Sequence, residues 1–201
     1  MALRLGGLSD LDTSTVPLPP GTEVVTRVDR EVDGAPRNVA LTFSRDGRTR
    51  YVKRHLIPGL EPLVAGHEPG LLGHGRAVAI CKDMDFPTTI RDDARHGIRI
   101  LFVPAWDFDK DGKMHADMAI LRGVENGFAM VRAARRGLLT ITDAQGRVIA
   151  SAKATGGMTS IMADVPPGRG LPLYVRVVDV YACVSMVLTL AESVGMILFR
   201  L

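Results

Sequence analysis

Short β-rich runs and helical stretches alternate along most of this chain, and that alternation is what most limits the folds open to it. Val24 to Val28 and Val39 to Phe43 have strand character, and Asp33-Gly-Ala-Pro between them predicts a hairpin. Arg45-Asp-Gly-Arg makes a second tight turn, after which Thr49 to Lys53 continues as a strand. Val78 to Cys81 is a short apolar strand. Phe86-Pro then opens a helix through about Gly97, followed by a buried strand over Ile98 to Val103. Met118, Leu121, Val124 and Glu125 recur at three-to-four spacing and predict a helix over Met114 to Asn126. Ala129 to Ala133, Leu138 to Thr142 and Val148 to Ala152 read as strands, with turn chemistry in Asp143-Ala-Gln-Gly. The pattern gives an α/β or α+β class built as a layered sandwich, without internal repeats.

With 201 residues and 46% hydrophobic content, the chain has material for one domain with a substantial core. We divide it into a linker or remnant at residues 1–22, a domain at 23–178 and a tail at 179–201. The net charge of +3 is mildly basic, and Arg132 to Arg136 is the single dense arginine cluster. Three Tyr and one Trp offer little for stacking bases, so no nucleic-acid partner is expected. Two cysteines in unlike contexts rule out a disulfide framework, and Met1 to Gly7 lacks the apolar core of a signal peptide. The tail run Val180 to Phe199 is apolar except for Ser185, Thr189, Glu192 and Ser193. Its length of about 20 residues suits a transmembrane helix, with Arg200 on the cytoplasmic side; an amphipathic or partner-packed helix is the alternative.

The residues with chemistry to offer sit in three short motifs. Cys81 closes the apolar run Ala77-Val-Ala-Ile-Cys, where a rigid strand and the following turn would present a nucleophilic sulfur. Lys53, in Tyr51-Val-Lys-Arg-His-Leu-Ile-Pro, supplies positive charge that favours a thiolate and a developing oxyanion. Glu61 follows in Pro58-Gly-Leu-Glu-Pro. Together with Pro104-Ala-Trp106, His115-x-x-Met118-x-x-x-Arg122-x-x-Glu125-Asn126, the Arg132 region and Asp143-Ala-Gln-Gly-Arg147, these motifs resemble the nitrilase (carbon–nitrogen hydrolase) superfamily. The resemblance runs over roughly residues 35 to 179. Leu173-Tyr174-x-Arg176-x-x-Asp179 followed by the apolar tail is most similar to the C-terminal part of the apolipoprotein N-acyltransferases.

That resemblance implies a four-layer α-β-β-α sandwich, N-terminally truncated, with a C-terminal apolar helix. It implies that Cys81 carries an acyl group as a thioester, that Lys53 stabilises the tetrahedral intermediate, and that Glu61 positions substrate and supports proton transfer. The backbone N–H of Lys82 would serve the oxyanion, with Asp83 and Trp106 around the pocket. His115 is a helix-start residue near the site, and Glu125 pairs with Arg122 or Arg132 or takes a catalytic part. The implied partners are a phospholipid acyl donor and a lipoprotein N-terminal amine. The implied location is the bacterial inner membrane, with the domain on its periplasmic side. No cofactor or metal is implied.

Three departures from the family pattern keep other readings open. Lys82-Asp83 stands where Tyr-Glu is usual, no upstream general-base glutamate motif is found, and no leading transmembrane helices are present. Glu23 and Glu31 are poor substitutes, because they fall in the hairpin before Lys53. A relative acting as an amidase on a small polar amide, or a catalytically silent protein of the same fold, therefore remains open. Asp107-x-Asp109-x-Asp111-Gly112 has the first half of a calcium loop, but Met118 stands where the bidentate glutamate belongs. The five histidines show no zinc spacing.

Overall fold

The computed structural model describes residues 21–44, 47–107, 110–154, 158–177 and 180–199. Strand β1 (Val24–Val32) turns into β2 (Ala35–Ser44) through Asp33 and Gly34, whose φ angles are 52° and 74°. Two successive positive φ values match the right-handed twist of a two-residue hairpin, which is why an Asp-Gly pair sits there. β3 (Gly47–Val52) completes an antiparallel three-stranded sheet in the order β1-β2-β3.

The second sheet has six strands in sequence order: β4 (Leu71–Gly73), β5 (Arg76–Val78), β6 (Ile100–Ala105), β7 (Ala129–Ala134), β8 (Gly137–Thr142) and β9 (Val148–Ala154). β5, β6 and β7 run parallel and the remaining pairs are antiparallel. The parallel pairs need crossovers, supplied by α1 (Pro87–Ala94) between β5 and β6 and α2 (Gly112–Asn126) between β6 and β7. Pro87 starts α1 where a missing N–H costs nothing, and Gly127, at φ 70°, ends α2 in the left-handed conformation. In the Asp143 turn, one carboxylate oxygen accepts from the N–H groups of Gln145 and Arg147.

Period-two alternation then builds the layers. Ala77, Ala79, Leu101, Val103 and Met130 pack with Ile90, Ala119 and Phe128 on the helical side. Val78, Ile80 and Phe102 point the other way, against Val25, Ala40 and Tyr51 of the three-stranded sheet. Pro104 is tolerated in the central strand β6 because its N–H side faces β5, whose pairing has already stopped at Val78↔Phe102. That early stop frees the chain after Ile80 to turn outward at Cys81.

The described residues therefore form a mixed α/β sandwich, with three of the four expected layers: helices, six-stranded sheet and three-stranded sheet. The expected linker at 1–22 lies almost wholly outside the described residues. The membrane-spanning tail is corrected. A helix α4 (Val180–Phe199) does follow the short α3 (Leu173–Val177), but among the described residues no helix is long and apolar enough to cross a membrane. The physical reason lies in Ser185, Thr189, Glu192 and Ser193, which interrupt the apolar run; the Thr189 and Ser193 hydroxyls donate back to helix carbonyls.

Candidate active site

Three chain ends converge where the parallel strands finish. Lys53 leaves β3, Cys81 begins a single 3-10 turn (Cys81–Asp85) just beyond β5, and Trp106-Asp107 follow β6. The carboxyl ends of parallel strands are where α/β sheets gather their functional groups.

Lys53 is 1% exposed, and its Nζ donates to both carboxylate oxygens of Glu61, at 2.6 and 2.9 Å. An ammonium buried this deeply persists only beside a fixed counter-charge. Glu61 is fixed in turn by the Ile57 N–H at 2.7 Å and the Asn38 Nδ2 at 2.8 Å. Burial pushes the Glu61 carboxyl up, but those donors outweigh it and hold the group below the usual carboxylate range. Asn38 and Lys53 are tied again by the Lys53 N–H donating to the Asn38 carbonyl at 2.9 Å. Lys53 and Glu61 thus form one unit, although eight residues separate them.

Cys81 adopts φ 45°, a left-handed conformation that is strained for a residue with a Cβ. Its half-buried Sγ faces the Trp106 carbonyl at 3.7 Å. Burial pushes the thiol above its ordinary value; Lys53 and Arg132 pull it down and Asp107 pushes it up, leaving the net shift upward. Lys53 therefore offsets part of the burial penalty on the thiolate.

Asp83 holds the strained turn in place. It is fully buried, and one oxygen accepts from Tyr51 Oη at 2.7 Å and from the Ile80 N–H at 2.9 Å. The other accepts from the N–H groups of His55 at 2.9 Å and Arg54 at 3.2 Å, with His55 Nδ1 at 3.1 Å. This carboxylate welds the segment after β3 to the turn that carries Cys81. Behind it Arg54 pairs with Asp93, and His55 stacks on Phe86 with ring centres 3.7 Å apart. Asp83 does not face the pocket as expected, because every oxygen is spent on the scaffold.

Trp106 is 42% exposed, so it belongs to the mouth of the site and not to the core. The Arg135 guanidinium lies 4.4 Å over its ring and that of Arg27 lies 5.6 Å from it. The next residue, Asp107, is buried and pairs with the buried Arg132, which also donates to the Leu138 carbonyl at 2.7 Å. His115 in the first turn of α2 approaches Asp107 Oδ1 to 3.9 Å.

The remaining expected residues lie elsewhere. The Lys82 ammonium pairs with Asp85 at 3.3 Å and leans over Phe86, so its charge is not directed at the nucleophile. Glu125 pairs with Arg122 at 2.7 Å at the far end of α2, about 15 Å of helix from His115. Glu23 pairs with Arg76 at 2.9 Å at the start of β5, roughly 16 Å of strand from Cys81, and Glu31 is exposed opposite Pro36. Sequence reasoning does not single out Asn38, Arg27, Arg54, Asp93, Arg135 or Asp107 for the site. Asp107 carries a usable signal, since it follows the end of β6 as Cys81 follows the end of β5, but its neighbouring acids draw it into a calcium-loop pattern.

The carbon–nitrogen hydrolase family matches residues 21–170, three quarters of the chain. The chain belongs to that family. Curated relatives include the apolipoprotein N-acyltransferase of Brucella melitensis, 30% identical over 199 residues, covering 83% of this chain and 37% of the relative. That of Geobacter metallireducens is 32% identical over 153 residues, covering 65% and 28%. The chain thus spans well under half the length of these relatives. Among solved structures, an amidase of the nitrilase superfamily from Nesterenkonia sp. AN1 superposes with a TM-score of 0.60 at 20% identity, covering 68% of this chain and 59% of that one. In another structure of that amidase, with a TM-score of 0.60 and 20% identity over 67% of this chain and 58% of that one, the acetamide moiety of fluoroacetamide is added at the active site cysteine. Saccharomyces cerevisiae Nit3, of branch 10 of the superfamily, gives 0.58 at 22% identity over 65% and 56%.

Proposed function

We propose that this carbon–nitrogen hydrolase domain carries out acyl transfer through a thioester on Cys81, in the manner of an apolipoprotein N-acyltransferase. One observation carries the reading: a buried Lys53–Glu61 pair adjoins a cysteine held in a strained turn at the end of a parallel strand. In this proposal Cys81 attacks the donor's ester carbonyl, the Lys53 ammonium stabilises the oxyanion that develops, and the acyl C–O bond then breaks to release the donor's alcohol, which takes up the proton the thiol gave up. Glu61 keeps Lys53 charged and aimed. The acyl carbon then passes from sulfur to an amine, so that one hard transfer becomes two easier ones. The name shared by the curated relatives, apolipoprotein N-acyltransferase, supports a lipoprotein N-terminus as acceptor; in this proposal a phospholipid is the donor and the site of action is at the bacterial membrane. The raised thiol implies a proton acceptor for the first step, and among the described residues neither Glu23 nor Glu31 reaches it.

The test incubates the purified chain with phospholipid vesicles and a diacylated lipopeptide, and quantifies N-acylated peptide by mass spectrometry. The reading requires product from the wild type and none above background from Cys81→Ser or Lys53→Ala. Release of ammonia from small amides, without acyl transfer, would replace it with the amidase reading. Neither activity would leave a catalytically silent relative.

A further inference from the structure

Trp106 and Arg135 are the first residues beyond the carboxyl ends of the neighbouring parallel strands β6 and β7, and Cys81 follows β5 on the other side of β6. The Arg135 N–H donates to the Ala105 carbonyl at 3.0 Å, which ties the two strand ends together. The exposed Arg135 guanidinium lies 4.4 Å over the exposed Trp106 indole, and the backbone carbonyl of that same tryptophan faces Cys81 Sγ at 3.7 Å. Stacking occupies the flat face of a guanidinium and leaves its N–H groups, which lie in the plane, free to donate. The other cations around the site are already balanced. Arg27 donates to Asn38 Oδ1 at 2.8 Å and to Asp29 at 3.0 Å, and it stands 4.0 Å from Glu61. Lys53 pairs with Glu61, Lys82 with Asp85 and Arg132 with Asp107. Arg135 pairs with no carboxylate among the described residues. It is therefore an oriented, solvent-reachable and uncompensated fork of donors at the mouth, the arrangement that binds an oxyanion bidentately.

From this we infer that Arg135, held flat on Trp106, binds the phosphodiester of the acyl donor and so selects phospholipids over neutral esters. The inference rests on the thioester reading and deepens it, because it assigns headgroup specificity in the first half-reaction. In a glycerophospholipid the phosphate and the ester share one glycerol backbone, so an anion anchored on Arg135 keeps its own ester at the mouth where Sγ lies. A diacylglycerol presents the same ester with nothing for the guanidinium to hold. The indole contributes a rigid apolar seat and a fixed orientation, and the charge on Arg135 supplies the discrimination.

The experiment uses the full chain with dihexanoylphosphatidylglycerol or dihexanoylglycerol at equal submicellar concentration, and p-nitrophenyl butyrate as a donor without a glycerol backbone. It reads the rate at which the acyl mass appears on the peptide containing Cys81. The wild type reacts about ten-fold faster with the phospholipid than with dihexanoylglycerol, as a charge-assisted bond to an exposed site predicts, and added salt reduces the difference. Arg135→Ala slows the phospholipid alone and abolishes the preference, and Arg135→Lys, a point charge without the fork, restores part of it. Arg136→Ala removes the same charge one residue on and leaves the preference in place. A wild type without preference, an Arg135→Ala variant that retains it or slows both glycerol donors equally, or an equal loss in Arg136→Ala overturns the assignment. Acylation by p-nitrophenyl butyrate but by neither glycerol donor also overturns it and leaves the thioester reading standing. Absence of a Cys81 adduct from every donor overturns both.

Discussion

Replacing Asp83 by Asn removes one charge and almost no volume, so its effect isolates what that carboxylate holds together. The carbonyl oxygen that the substituted side chain retains can still accept from the His55 and Arg54 N–H groups. The new amide nitrogen faces the Ile80 N–H, which loses its acceptor, and the Tyr51 hydroxyl, which must turn around. One buried donor left unsatisfied and one charge-assisted bond exchanged for a neutral one cost about 2–4 kcal/mol together. For a chain of this size that lowers the thermal midpoint by about 5–15 °C. Because Ile80 precedes the nucleophile, the same change loosens the turn that keeps Cys81 at φ 45°. Differential scanning fluorimetry, with iodoacetamide labelling of Cys81 below the midpoint, checks both effects. Asp92→Asn is the control: its pair with Arg95 is exposed, and its loss shifts stability by less than about 0.5 kcal/mol. If Asp83→Asn matched that control and labelled Cys81 at the wild-type rate, the weld between β3 and the nucleophile turn would not exist.

Other consequences follow from the same geometry. The Cys81 thiol sits above its ordinary value chiefly through burial, so the pH midpoint of its iodoacetamide labelling lies above that of a free cysteine, which is near pH 8.5. Lys53→Met moves that midpoint further up by removing the cation, and Asp107→Asn moves it down by removing the anion; reversed signs in a pH–rate profile would contradict the electrostatics. Lys53→Met also takes from the half-buried Glu61 its closest counter-charge, leaving it the Ile57 N–H, Asn38 Nδ2 and the Arg27 guanidinium at 4.0 Å, at a cost of about 3 kcal/mol, and Lys53→Met with Glu61→Gln recovers part of it in urea unfolding. Gly137→Ala costs about 2–3 kcal/mol in the same assay, because its φ of 134° resists a side chain and its Cβ strikes Asp107; a silent substitution would refute the cradle around that carboxylate. Trp106 is the single tryptophan, so its emission reports acylation of Cys81 in the wild type and stays constant in Cys81→Ser.

Much of the fold is legible ahead of the structure because its elements are locally self-consistent. The Asp33-Gly34 hairpin, the Asp143 turn and α2 each carry their own capping or turn chemistry, and a continuous apolar run marks the doubly buried β6. β4 escapes a sequence reading because three residues offer no period to detect. From sequence Cys81 reads as a strand end, whereas it opens a 3-10 turn, a difference decided by its φ and by Asp83 reaching back to Ile80. The tail shows the limit of composition alone: length and apolarity predict a span, while the spacing of four polar residues decides what the helix can cross. In the site, Lys53, Glu61 and Cys81 are visible as motif residues. The pairing of Asp107 with Arg132 is not, because a buried ion pair joining two strands 25 residues apart has no local signature. Asp83 is visible for the wrong reason, since its neighbour in sequence is the nucleophile turn but its bonds go to Tyr51 and residues 54–55.

The most direct measurement is the mass of the intact protein, followed by peptide mapping, after brief exposure to p-nitrophenyl butyrate at mildly alkaline pH. The account predicts a single butyryl adduct on the peptide containing Cys81, removed by hydroxylamine as a thioester is, absent in Cys81→Ser and strongly reduced in Lys53→Met. An adduct on Cys183 or on no cysteine, or equal labelling of Cys81 with and without Lys53, would contradict it.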